Sequence, residues 1–197
     1  VEGNTTVTGP DPLVSVVVPY HPARARNGML QRAINSVEKQ TIPHKLITVE
    51  DTQHQGAATT RQRGLNQVTT EWTAFLDSDD ELDPTHLEQL LACAETTGAD
   101  YVYPWFRVKG GRDPFPMFFG RPWDNAHPHS TTITILVRTE FAQAVGFRDV
   151  AGEDFTFTKD CIIAGAKIVH HPARTWTWVH HGRNSSGRPD RGDARHR

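Results

Sequence analysis

The feature that most constrains the fold is a rhythm of alternating apolar patterns. Leu13-Val14-Ser15-Val16-Val17-Val18 is a β-branched run closed by Pro19. Its near-continuous apolarity is that of a strand covered on both faces, as in a parallel sheet. Leu30, Ala33, Ile34 and Val37 then recur at helical spacing, with Asn27 in position to cap the helix. Residues 45–50 (KLITVE) repeat the strand pattern, residues 56–68 the helix and residues 72–76 (WTAFL) the strand. Asp83-Pro84 has the form of a helix start, Leu87, Leu90, Leu91 and Ala94 line the helix it opens, and Gly98 stops it. Such alternation predicts an α/β, Rossmann-like domain whose mostly parallel central sheet is flanked by helices.

The rhythm continues with a strand at 101–108 and breaks at 110–130, a stretch rich in Gly, Pro, Phe and His without period. A long irregular segment inside a compact domain is usually functional, and the Gly110-Gly111 pair suggests a lid or acceptor loop. A strand at 131–137, a short helix at 139–145 and a helix at 154–164 ending at Gly165 follow. Two late strands, at 167–171 and 175–180, form a small additional β element. No internal repeat or second domain is visible. The expected organisation is a flexible leader at 1–12, a catalytic domain at 13–182 and a basic, disordered tail at 183–197.

At 197 residues, with 37% apolar and 22% charged residues, the chain has the composition of a soluble globular protein. A net charge of −2 excludes general attraction to nucleic acid or to an anionic membrane. No apolar run approaches the roughly 20 residues of a membrane span, and the first residues lack a signal-peptide apolar core. A cytoplasmic protein is expected. Cys93 and Cys161 both fall in helical stretches and read as free thiols.

The sharpest chemical feature is Asp77-Ser78-Asp79-Asp80, directly after the third strand. In open α/β sheets ligands bind at the carboxyl ends of the strands. Three acids in four residues repel one another unless water or a cation intervenes. Mg²⁺ or Mn²⁺, held by one or two carboxylates plus substrate phosphates, suits them; a solvated acidic turn is the alternative.

Around this turn stand VSVVVPYHP, an acidic pair near residue 50, FLDSDD, GEDF and WVHHGRNSSG, in that order. The set resembles the inverting family 2 glycosyltransferases of the GT-A fold, across about residues 14–186. The resemblance implies a metal-dependent transfer of sugar from a nucleotide-diphosphate donor, most commonly a UDP-sugar, to an acceptor with a free hydroxyl. It implies roles for particular residues. Pro19 and Tyr20 lie against the nucleoside, and Asp51 accepts a hydrogen bond from the base, unless it merely caps a turn. Arg61 lies near the sugar or diphosphate, although Gln62 replaces the family's Asn and Arg63 competes for the role. Asp77 and Ser78 contact the donor, with Asp77 near the metal shell and Asp79 on the ion itself. Asp154 is the catalytic base and Glu153 assists it, while acids at a helix N-terminus are also stabilising in their own right. One of His180 and His181 completes the metal shell, since neighbours along a strand face opposite ways. Trp105, Phe118, Phe119 and Trp123 default to packing, with Phe118-Phe119-Gly120 as a conceivable acceptor wall.

Two other classes compete. A nucleotidyltransferase would carry a Gly-rich, basic phosphate loop after the first strand, where this chain has Pro19-Tyr20-His21-Pro22, with Arg24, Arg26 and Gly28 only in a loose cluster. A non-catalytic nucleotide-sugar or glycan binder would not need both a metal ligand and a base.

Overall fold

The structure, a computed structural model, describes residues 11–181. Most of the expected leader and the whole basic tail lie outside the described residues.

Seven strands form one sheet in the order β2-β1-β3-β6-β5-β7-β4. The first half follows the expected alternation. Strand β1 (Val14–Tyr20) is central, with β2 (His44–Glu50) and β3 (Trp72–Phe75) parallel on its two sides. Its valines are buried on both faces, which is why the run is apolar without alternation. Pro19 sits within β1, opposite Val49 of β2. Ladder pairing to β3 stops at Val17, so the missing proline N–H falls where no partner strand remains.

The second half is mixed. Strand β6 (Leu136–Arg138) is antiparallel to both β3 and β5 (Tyr101–Lys109). Strand β7 (Ile168–Val179) is parallel to β5, and the short β4 (Glu81–Leu82) is antiparallel to β7. Strands β1, β2, β3, β5 and β7 therefore run in one direction. Their carboxyl ends gather on one edge, which is the edge that bears the site.

Helices α1 (Pro22–Arg26), α2 (Met29–Glu38), α3 (Ala57–Leu65), α4 (His86–Thr97), α5 (Thr139–Val145) and α6 (Glu153–Ile163) complete the elements. Leu30, Ala33 and Val37 bury the inner face of α2, as their spacing predicts. Helix α3 lies hard against β1 at Gly64, where an added Cβ would come within 2.4 Å of the Val17 side chain. That contact seats Arg61, one turn earlier, over the end of the sheet.

Several boundaries differ from the sequence reading. Gly28, with φ of 76°, precedes α2, and Asn27 Oδ1 receives only the Met29 N–H, at 3.1 Å. Helix α4 starts at His86 rather than at Asp83-Pro84. The Asp83 carboxylate is drawn to Arg107 instead, and a distant residue, Gln40, receives the Leu87 N–H at 3.0 Å. Of the strand expected at 131–137, only its end pairs in the sheet. The two late strands are one, β7, which passes Pro172 opposite Pro104 through a register shift that spares both missing donors. Both cysteines are unpaired.

The segment at 110–130 forms a single 3₁₀ turn at Pro116–Phe118 and is otherwise irregular. It is pinned rather than loose. His170 Nδ1 donates to the Tyr103 carbonyl at 3.1 Å, and its Nε2 accepts the Gly120 N–H at 3.0 Å. His129 stacks on Phe118 with centroids 4.3 Å apart, and Trp123 meets Tyr103 edge-on. Phe118, Phe119 and Trp123 thus pack on the core, and none of them lines either of the two larger cavities.

Candidate active site

Two cavities open along the carboxyl edge of the sheet. The first, about 270 Å³, lies over the ends of β1, β2 and β3. Pro19 and Tyr20 line it from β1, Asp51 from the end of β2, Arg61 from α3, and Asp77-Ser78-Asp79-Asp80 from the turn after β3. The second, about 800 Å³, is walled by residues 131–134, by residues 149–154 and by Trp176 and Trp178. The two share Ala57, Arg61, Asp77, Asp80 and Trp178.

Arg61 is the node. Its side chain is 3% exposed and its guanidinium reaches three carboxylates: Asp77 at 2.6 Å, Asp154 at 2.9 Å and Glu153 at 3.1 Å. Burial disfavours its charge, but Asp77, Asp154 and Glu153 outweigh that and raise its pKa, so it remains a cation. Its Nε is buried with no hydrogen-bond partner in the structure. Arg63 points elsewhere and donates to the Glu50 carbonyl at 2.8 Å. Of the two arginines only Arg61 lines the cavities.

Glu153 and Asp154 open α6 behind Gly152, whose φ of 70° turns the chain into the helix. Burial pushes the Asp154 carboxyl up, to about 7. Arg61 pulls it down, while Asp77 and Glu153 push it up again. The sequence reading offered a base or a helix-dipole acid; the structure places the pair at the N-terminus of α6 and on the wall of the larger cavity.

Asp51 directly follows β2 and is 7% exposed. Its two oxygens receive the N–H groups of Gln55 at 2.8 Å and Gly56 at 2.9 Å, which shapes the loop into α3. Burial alone would raise its pKa; these amides and the nearby His54 and His21 hold it below the usual carboxylate value. The turn-capping role is therefore real, and the side chain still lines the first cavity.

Within the acidic turn the three carboxylates differ. Asp77 is 39% exposed and faces Arg61. Asp79 meets the Arg24 guanidinium at 3.0 Å and His181 Nε2 at 2.8 Å. Asp80 is buried and accepts the Val179 N–H at 2.8 Å, tying the turn to the end of β7. Burial, then Asp77 and Asp79, push its pKa well above normal. Ser78 is buried on the cavity wall.

The paired histidines, just beyond the end of β7, face different neighbours. His181 comes to Asp79, while His180 packs edge-on against Trp178 and faces Gly110 and Gly111. The sequence reading did not assign site positions to Arg24, Asp80 and Trp178 or to the walls at 131–134 and 149–151. Asp80 belongs to the quoted motif; Arg24 stood out only as part of a loose basic cluster.

Strands ending on a shared acidic cleft, with a second cavity beside it, define an α/β domain with its ligand site at the carboxyl edge of the sheet. The family model of glycosyl transferase family 2 matches residues 42–151, more than half the chain, and the chain belongs to that family. Among solved structures, S. aureus TarS 1–349 in complex with UDP-GlcNAc superposes with a TM-score of 0.75 at 18% identity, covering 85% of this chain and 58% of that one. The mannosyltransferase PcManGT from Pyrobaculum calidifontis, in complex with GDP-Man and Mn²⁺, superposes with a TM-score of 0.69 at 16% identity, covering 93% and 59%. At such identities the likeness is one of fold, and this chain spans less than two thirds of either protein. Comparison with curated protein sequences finds no match. No helix among the described residues is long and apolar enough to cross a membrane.

Proposed function

We propose that the chain is a metal-dependent, inverting glycosyltransferase that carries a sugar from a nucleoside diphosphate, UDP first among them, to a hydroxyl in the larger cavity. The observation that carries this reading is the junction at Arg61. A cleft over the strand ends and a second cavity meet there, and the carboxylates of Asp77 and Asp154 share the same guanidinium across it. The complexes of TarS with UDP-GlcNAc and of PcManGT with GDP-Man support a nucleotide-sugar donor.

The residues fit a divalent ion bound together with the donor. Asp79 Oδ2 and His181 Nε2 stand 2.8 Å apart, a spacing compatible with two ligands on one small ion, and a cation already rests on both, the Arg24 guanidinium. Among the described residues no group of three His, Cys, Asp or Glu side chains could hold a metal ion. Asp79 and His181, with Asp77 nearby, would therefore share a Mn²⁺ or Mg²⁺ with the diphosphate and water. Such an ion supplies Lewis-acid neutralisation of the charge that develops on the leaving diphosphate.

The chain's own residues do the rest. Pro19 and Tyr20 flank the base. Each Asp51 oxygen takes one backbone amide and keeps acceptor capacity for an imide N–H such as that of uracil. Ser78 and Asp77 line the path from nucleoside to sugar. Asp154 takes the proton of the acceptor hydroxyl from the second cavity, on the side away from the diphosphate, as inversion requires. A carboxyl raised toward neutrality is a stronger base than an ordinary aspartate and is still ionised in part at pH 7. Glu153 and Arg61 keep it oriented.

The second cavity carries Asp77, Asp80, Asp149, Glu153 and Asp154 against one cation, Arg61. Those walls favour a neutral or cationic polyhydroxyl acceptor over a phosphorylated one.

The test is thermal denaturation with UDP and with GDP, in Mn²⁺ and in excess chelator. UDP at 100 times its dissociation constant should add about 2.7 kcal/mol in Mn²⁺. Equal stabilisation in chelator refutes the metal dependence, and stabilisation by GDP alone refutes the choice of base.

A further inference from the structure

Arg24, on the short helix α1, marks where a cation rests in the reading above but is given no role of its own there. Its Nη2 lies 3.0 Å from Asp79 Oδ2, and its Nη1 lies 2.7 Å from His181 Nε2 and 3.1 Å from Met29 Sδ. An arginine has no lone pair to offer, so the contact with His181 makes Nε2 the acceptor, and Nε2 and Asp79 Oδ2, 2.8 Å apart, are then two acceptors held together by the cation between them. The Asp79 oxygen and the His181 lone pair thus converge on one guanidinium. Those are the two lone pairs that a divalent ion would use; Asp79 and Arg24 line the cleft proposed for the donor, and His181 meets both of them.

We propose that Arg24 is a positioning residue that holds the Asp79–His181 pair in place of the divalent ion until the donor arrives, and then moves to the donor's phosphates. The inference rests on Asp79 and His181 being the ion's ligands. A guanidinium and a divalent ion cannot occupy the same few ångströms, so the ion must displace Arg24 to bind. Ion binding alone loses the Arg24–Asp79 pair. With a diphosphate present, the displaced guanidinium finds two anionic groups in the same cleft and can engage them through paired N–H···O bonds. Ion and donor therefore bind cooperatively, each making room for or receiving what the other displaces. No carbon–oxygen bond is made or broken by Arg24, and its role is the order and coupling of binding.

The coupling is reciprocal and measurable without turnover. The experiment titrates Mn²⁺ into the full chain and follows the free-ion electron paramagnetic resonance signal, with and without UDP. For the wild-type protein, UDP should tighten Mn²⁺ binding by on the order of 100-fold. Arg24→Gln should bind Mn²⁺ alone about tenfold more tightly than wild type, and UDP should then add about tenfold or less. Arg24→Lys keeps a charge that can reach Asp79 but cannot bridge to His181, so it should fall between the two. A merely structural arginine would lower the melting temperature without tightening Mn²⁺ binding in the absence of UDP. Unchanged Mn²⁺ affinity in both variants, with UDP-dependent binding intact, overturns the role of Arg24 and leaves the metal site standing. Absence of Mn²⁺ binding in all three proteins, even with UDP, overturns the metal site and Arg24 with it.

Discussion

Removing the Arg61 guanidinium tests the architecture of the site most severely. In Arg61→Met the apolar stem is kept while Asp77, Asp154 and Glu153 lose their common partner. Breaking a buried ion pair from one side costs about 3–5 kcal/mol, because the other side is left uncompensated. Here the three carboxylate side chains are 39%, 31% and 27% exposed, so they can rehydrate in part. The loss should therefore fall below that range, at about 2–3 kcal/mol at pH 8. For a chain of this length that corresponds to a melting-temperature drop of roughly 5–10 °C. The same variant at pH 5 should lose about half as much, because Asp154, already pushed up, is then protonated and the repulsion it feels is gone. Arg61→Lys keeps the charge but not the fork that spans three partners, and should recover part of the loss. Urea titrations of the three proteins at both pH values decide the matter. A deficit below about 1 kcal/mol, or one identical at pH 5 and pH 8, would refute the claim that one guanidinium neutralises three acids.

Other expectations follow from single contacts. Asp154→Asn should fold and bind donor normally while transfer falls by about 10²–10⁴, and full activity would end its assignment as base. Because the folded pKa of Asp154 is raised, its contribution to stability is complete below about pH 4 and lost as pH rises through about 7. Asp154→Asn should accordingly raise the melting temperature at pH 8 relative to wild type more than at pH 4. Gly64→Ala drives a methyl into Val17 and should cost about 1–3 kcal/mol in a urea titration; a neutral effect would mean that α3 can lift off β1 at no cost. Burial lowers the pKa of His170, so the stability it provides is present above about pH 6.5 and lost as pH falls below it. Amide exchange across residues 110–130, corrected for its intrinsic pH dependence, should then rise between pH 7 and pH 5; a flat profile would show that the Gly120–His170 bond does not anchor the segment.

The half of the fold that sequence reading captured well is the half whose signals are local. A strand buried on both faces writes itself as β1's unbroken valines, and the inner face of α2 as Leu30, Ala33 and Val37. Where a boundary depends on a distant partner, local reading goes astray. Asp83-Pro84 looks like a helix cap, but Arg107 claims the Asp83 carboxylate and Gln40, 47 positions before Leu87, receives the N–H. Likewise residues 131–134 have the composition of a strand, yet they wall a cavity, and only Leu136–Arg138 finds neighbours in the sheet. The gap at 172–174 separated two expected strands, but the pairing of β7 with β5 continues through a register shift there, and no local signal announces it.

The site divides in the same way. Its carboxylates stood out in the sequence because three acids in four residues follow a strand, and in space Asp77 and Asp154 share Arg61 while Asp79 meets Arg24 and His181. What the sequence hides is the cations that make such a cluster stable. Arg61 could equally have been an exposed helix residue, and only the close approach of α3 to β1 at Gly64 buries it among three acids. Arg24 comes from a five-residue helix that no periodicity marks, and reaches an acid 55 positions away and a histidine 157 positions away. Charge balance offers the missing constraint. A cleft that gathers four or more carboxylates must recruit buried cations from elsewhere in the chain, and in an α/β domain those come from the loops and first helical turns beyond the same strand ends. Counting acids at strand ends and then searching the segments after each strand for unexplained arginines would have selected both Arg24, after β1, and Arg61, after β2.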